Sequence, residues 1–310
     1  MSDFPTPDVT AETKPLALRP IEPQALDIQH DTDPADDHGI ARRIPHLGHV
    51  LLFLFIVAIS YAVCNITIFA AAHVRTAAQI LDHPGLGLIG QDAGYLLAIA
   101  ISFLLFPLLW NRAFFEGIQW NFQIARRRWP WIVTIGLLLN IVAQIALHFL
   151  TPAKNAPIDK MMQNTHLIWL ITFSAVILGP LMEEMAFRGF LLPALATAYD
   201  WLSLERSPAG LQRWQSSTTH SRAALIFSAI ISSVPFALMH AAQIGYAWGV
   251  VGILYVVSVI LSFVRIRTHS LACSTLLHAT YNFTIFALLF VSTSGFRHME
   301  KVADFVVYVR

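Results

Sequence analysis

This chain is short of charge. Of its 310 residues only 13% are Asp, Glu, Lys or Arg, where a soluble domain carries about a quarter. Twenty basic residues against 19 acidic ones leave a formal charge of +1, which gives no support to nucleic-acid binding. Cysteine is scarcer still. Cys64 and Cys273 lie in apolar runs and read as packing residues, and without a Cys-x-x-Cys pair neither a disulfide framework nor a cysteine-rich zinc site is available. Catalytic signatures are missing too: there is no HExxH to set two zinc ligands on one helix turn, and no GxSxG-like serine element. Tyr199-Asp200 lacks a GxGD partner, since Gly90-Gln91-Asp92 falls short, so Asp200 reads as a solvated helix-end residue. The opening MSDFPTPD has no basic n-region and meets no apolar run until about residue 48, and it is not read as a signal peptide.

What the chain has instead is hydrocarbon. Hydrophobic residues make up 56%, the mean hydropathy is +0.59, and the surplus is gathered into runs near the roughly 20 residues that cross a bilayer. Seven such stretches run approximately over 48–72, 93–110, 131–150, 167–198, 223–241, 246–264 and 270–293. The fourth is overlong and holds Pro180 and Pro193, which predicts a kinked span followed by an interfacial helix, with room for an eighth crossing. Residues 1–46, rich in Pro, Asp, Glu and Thr, are expected to be a disordered tail. Residues 47–166 and 167–293 divide the spans into an N-terminal set and a core, and 294–310 form a C-terminal tail. The fold expected is all-α, a polytopic membrane bundle of about seven or eight helices around an intramembrane polar cavity.

Arginine sets the orientation. Arg42 and Arg43, Arg126 to Arg128, Arg206, Arg213 and Arg222, and Arg265 and Arg267 all fall on one side if the N-terminus is cytoplasmic; the other side keeps Arg75, Lys154 and Lys160. Arg126 to Arg128 before Trp129 and Trp131 read as an interfacial anchor for anionic lipid, and Trp110, Trp120 and Trp248 as interface residues. Asn65, Asn140 and Gln144 read as helix–helix hydrogen-bonding groups.

Ionisable groups inside a span cost a few kcal/mol each, by order of magnitude, and mark function by default. Glu183-Glu184-Met185-Ala186-Phe187-Arg188 is the strongest instance. Glu184 and Arg188, four residues apart, share a helix face and can neutralise each other. Glu183 lies about 100° further round and is left to face a cavity, unless all three serve one structural ion-pair network. The fifth stretch ends in Phe236-Ala237-Leu238-Met239-His240, and the seventh carries His278-Ala279-Thr280-Tyr281-Asn282. His278 and Asn282 again share a face, though Asn282 suits helix-to-helix bonding equally well. Residue counts from the flanking loops bring the three segments to comparable depth. A carboxylate in a low-dielectric cleft suits a general base; an imidazole can orient a water, and a second imidazole with an amide can face an oxyanion. Those parts make an amide hydrolase that needs no nucleophilic Ser or Cys.

EEMAFR, FALMH and HATYN, in that order, resemble the EExxxR, FxxxH and HxxxN/D pattern of the CPBP family, the CAAX-protease and bacteriocin-processing intramembrane endopeptidases that include the type II CAAX prenyl endopeptidases. The resemblance covers about residues 167–290. It implies a membrane helical bundle with a cavity, Glu183 as the base that activates water, His240 as its partner, His278 and Asn282 as oxyanion donors, and Glu184 and Arg188 as supporting groups. No metal is favoured, because Asn is an unusual zinc ligand; the alternative is Zn2+ or another divalent metal on Glu183, His240 and His278. The expected activity is hydrolysis of a peptide bond near a membrane-associated C-terminus, a prenylated one included, in a multi-pass protein of the cell membrane whose partners are lipid and a peptide or protein substrate. The alternative is a non-catalytic membrane binding, immunity or transport protein built on the same polar cluster.

Overall fold

The computed structural model describes residues 43–150, 157–162, 164 and 166–298. The predicted N-terminal tail up to residue 42, Lys154 in its loop and the C-terminal tail beyond His298 lie outside the described residues, and so does the side chain of Lys160. Among the described residues there is no strand, and seven helices are long and apolar enough to cross a membrane. They are α1 (Leu47–Ala71), α2 (Pro84–Trp110), α3 (Phe122–His148), α4 (Ile168–Leu202), α5 (Arg222–Met239), α6 (Trp248–Thr268) and α7 (Leu271–Ser292). Large apolar side chains such as Leu51, Leu104, Leu108 and Ile141 point outward, as lipid contact requires and water would penalise.

Two helices start earlier than hydropathy predicts. Pro84 opens α2 at a position that needs no N–H, and Asn121 caps α3 by accepting from the Ile124 amide. Arg126 to Arg128 are therefore exposed helical residues rather than loop residues. Trp110 departs from expectation more sharply. It is 2% exposed rather than interfacial, because the chain turns at Asn111 in the left-handed region (φ 55°) and folds Phe114 back against it, rings parallel at 6.0 Å. Gly117 makes that approach possible: a Cβ there would lie 2.3 Å from the indole. Asn65 bonds the Tyr61 carbonyl of its own helix, not a neighbour. Asn140 does bridge helices, donating from α3 to the Tyr281 carbonyl of α7.

Helix α4 runs through the middle of the bundle. One face, with Met182, Met185 and Phe190, packs on α1 and α2; beyond its other face Phe236, Leu261, Cys273 and Leu277 join α3, α5, α6 and α7 in a second core. The predicted separation into a span and a second, interfacial helix does not occur: α4 is continuous from Ile168 to Leu202. Instead α4 widens twice into π-helix, at Ser174–Leu178 and Met185–Leu191. Each widening closes one residue before a proline: Gly179 N–H bonds Ser174 O, and Leu192 N–H bonds Phe187 O, five residues back in both cases. A proline in an α-helix clashes with the carbonyl four residues earlier. The extra residue moves that carbonyl aside, so Pro180 and Pro193 are absorbed without ending the helix.

Candidate active site

The short α-helical stretch between the two π turns, Gly179–Glu184, carries both glutamates. Glu184 is fully buried, and its Oε1 accepts from Arg188 Nη1 at 2.7 Å and from His278 Nδ1 at 3.1 Å. Arg188, equally buried, spends its remaining donors on α6: Nε on the Ser262 hydroxyl (3.2 Å), Nη2 on the Ser258 carbonyl and hydroxyl (2.8 and 2.7 Å). A buried ion pair holds only where the leftover donors are satisfied in this way. The two serines, one helical turn apart on α6, escaped notice in the sequence; a buried arginine's need for acceptors is the signal that points to them.

Glu183 faces a different volume. Its Oε2 is buried and hydrogen-bonds no protein group, and it stands 3.9 Å from His240 Nε2 and 3.8 Å from His278 Nε2. These separations are too long for a direct bond and match what a bridging water spans. Both rings are held from behind. His240 Nδ1 faces the Phe236 carbonyl at 2.8 Å, which can only accept, so Nδ1 carries the proton and Nε2 presents a lone pair to Glu183. His278 Nδ1 is fixed likewise by Glu184.

Phe236 is a hub to which the sequence assigned no role. It is 2% exposed, its ring lies 5.2 Å from that of His240, 5.7 Å from that of His278, and under the Arg188 guanidinium at 4.6 Å. The FxxxH spacing thus supplies both the wall of the site and the carbonyl that sets the His240 tautomer.

Asn282 comes to the rim of this group rather than its centre, donating through Nδ2 to the Ala175 carbonyl at 2.7 Å. The reason lies in the first π turn. Gly179 N–H has moved to Ser174 O, and Pro180, the next residue in the π register, has no N–H to give. The Ala175 carbonyl is left without an intrahelical partner, and Asn282 supplies one.

The structure brings Glu183, Glu184, Arg188, His240 and His278 into one contiguous cluster, with Asn282 tied to the same helix at Ala175, about two turns before Glu183. Counts along the helices alone place these residues unevenly: Glu183 is about 28 Å from the end of α4 and His278 about 10 Å from the start of α7, at 1.5 Å per residue. They meet because α4 and α5 extend further past the site on that side than α7 does. Among the described residues no three His, Cys, Asp or Glu side chains are gathered closely enough to hold a metal ion. Tyr199-Asp200 lies apart from the site, and Asp200, predicted to be solvated, is instead bonded to His220 and Ser221 with 14% of its side chain exposed.

Residues 164–284 match the family model described as type II CAAX prenyl endopeptidase Rce1-like. The matched segment spans α4 to α7 and contains all six residues named above. No curated protein and no solved structure compared with the chain matches it.

Proposed function

We propose that the chain is an intramembrane endopeptidase in which Glu183 activates water for attack on a peptide bond near the C-terminus of a membrane-associated, lipidated substrate. One observation carries the reading: a buried carboxylate oxygen without a hydrogen-bond partner in the protein, facing the Nε2 atoms of two imidazoles whose other nitrogens are tied down. A purely structural role is already filled by Glu184 and Arg188, and Glu183 Oε2 makes no direct hydrogen bond that would add to it.

In the proposed reaction a water donates one hydrogen to Glu183 Oε2 and the other to His240 Nε2. Its oxygen attacks the scissile carbonyl while Glu183 takes the proton. The new oxyanion faces His278, which in its protonated form donates through Nε2, and the second N–H of the Asn282 amide. Glu183 then returns its proton to the departing nitrogen and the C–N bond breaks; the hydroxyl proton of the new carboxyl passes through His240 Nε2 to the amine, so that a carboxylate and an ammonium leave. Metal is left out of this scheme. Carboxylate–imidazole separations of 3.8 and 3.9 Å exceed the roughly 3.3 Å edge of a tetrahedral site with zinc bonds near 2.0–2.1 Å. We further propose that the N-terminus is cytoplasmic, in the cell membrane, from the arginine bias of the loop side on which α1 begins.

The test is cleavage of a farnesylated C-terminal peptide by the purified chain in vesicles. E183Q is expected to lower kcat by about 10²–10⁴-fold, the usual worth of a general base, and chelation to leave the rate unchanged. Full activity in E183Q ends the proposal. Loss on chelation with recovery on added zinc replaces it by the metal set of Glu183, His240 and His278.

A further inference from the structure

Asp92 is a buried carboxylate that the site described above does not use. It lies on α2, outside the matched segment, at 7% exposure, and among the described residues no cation pairs with it. Such a group is costly to keep in a span, so its presence needs a reason.

The packing of α2 fixes where it points. Gly90 and Gly94 press against α1 so closely that a Cβ would lie 2.4 Å from Asn65 Oδ1 at the first and 2.8 Å from the Tyr61 Cα at the second. Asp92, two residues from each, is turned about 160–200° away, towards α4. There its Oδ2 accepts from the Ser174 hydroxyl at 2.5 Å, the shorter of that hydroxyl's two contacts, the other being the Leu170 carbonyl at 2.9 Å. Ser174 is the first residue of the π turn, and its carbonyl takes the shifted bond from Gly179. The adjoining carbonyl, Ala175 O, is the one that anchors Asn282. A continuous path of bonds therefore leads from α2 through one turn of α4 to α7: carboxylate, serine hydroxyl, widened turn, stranded carbonyl, carboxamide.

We propose that Asp92 is a positioning residue: by holding Ser174 it keeps this turn in the π register, and so fixes the carbonyl that sets the place of Asn282. The proposal rests on the hydrolytic reading of the site for its effect on rate, but not for the coupling itself. Asp92 acts as a hydrogen-bond acceptor, a task that an asparagine carbonyl performs as well. The charge is incidental to it.

Two measurements on the full chain test this. In the first, melting of the solubilised protein is followed for D92L, N282A and the double variant. Coupled groups give a double shift in Tm clearly smaller than the sum of the single shifts, whereas independent groups add; additive shifts overturn the proposal. S174A with N282A repeats the cycle by removing a single hydroxyl, should D92L fail to accumulate. In the second, peptide cleavage is followed for D92L, S174A and D92N. The expected result is a kcat lowered about tenfold in D92L and S174A with KM within twofold of wild type, and at least half of kcat kept in D92N. An unchanged kcat in D92L and S174A overturns the proposal, as does a raised KM at constant kcat, the mark of direct substrate contact, or a D92N variant as impaired as D92L. If the wild-type chain cleaves nothing, the hydrolytic reading fails, and the melting cycle still decides the coupling.

Discussion

Among the described residues Glu184 and Arg188 are the two acidic or basic side chains with no exposure at all, and their bonds leave little room for substitution. Removing the guanidinium strands a carboxylate in hydrocarbon, which costs about 3–5 kcal/mol where a buried pair is broken from one side. R188M is therefore expected to lose most of its folded population, measured by limited proteolysis in detergent. E184Q/R188M, which removes both charges, is expected to recover part of that loss. Equal loss in both variants would mean that the pair contributes by shape alone. R188K tests the fork separately: lysine keeps the charge but lacks the planar set of donors that reaches Ser258, Ser262 and Glu184 together. That the adjacent glutamates face different surroundings was legible in the sequence, because helix geometry alone separates their faces by about 100°. The serines and Phe236 were not. Ser and Phe are ordinary in apolar helices, and only the direction of the arginine and the two imidazoles gives them meaning.

Within α4 the decisive feature is the pairing of each π turn with a proline. Replacing Pro180 by Ala supplies the missing N–H and removes the ring that the widened turn accommodates. Proline inside a helix costs about 3 kcal/mol relative to alanine, so P180A is expected to melt at or above the wild-type temperature. The same change lets the turn revert to the α register or gives Ala175 O a partner within its own helix. Either way Asn282 loses its acceptor, and kcat is expected to fall. A variant both more stable and less active identifies the π turn as a strained element kept for the site; a P180A chain of unchanged kcat refutes that. Both prolines were visible in the sequence and rightly drew attention to α4, but a proline signals only that something must give. Whether the helix kinks, ends or widens depends on what can donate to the stranded carbonyl, and that donor lies 107 residues away.

For the whole molecule, hydropathy located seven spans because lipid imposes a uniform demand on every residue facing it. It missed the polar starts of α2 and α3, and it placed Trp110 at the interface because a folded-back loop leaves no local mark. The loops also tie the spans together at the end where α1 begins. Arg43 stacks on Trp214 at 3.5 Å and donates to the Trp214 carbonyl at 2.6 Å and to that of Ser217. Asp200, near the end of α4, accepts from Ser221, the cap of α5, at 2.6 Å and bonds His220 Nδ1 at 3.0 Å. This network joins the entry of α1 to the two helices that carry Glu183 and His240. Burial pushes the His220 imidazole below its ordinary value of 6.5, and the Asp200 carboxylate opposes without reversing the shift. A histidine held neutral in the folded state contributes stability that is fully present above about 6.5 and is lost as the pH falls below it, since the unfolded chain then binds the extra proton. His46 and His269, also lowered by burial, act in the same direction, so the informative quantity is the difference between wild type and H220Q. The wild-type Tm is expected to drop between pH 7.5 and 5.0, and the drop to be smaller in H220Q. An identical slope in the two would show that the loop network does not depend on a neutral His220. A smaller slope joined to a weaker low-pH loss of peptide cleavage in H220Q than in wild type would show that the α4–α5 junction holds the distance between Glu183 and His240 from outside the membrane.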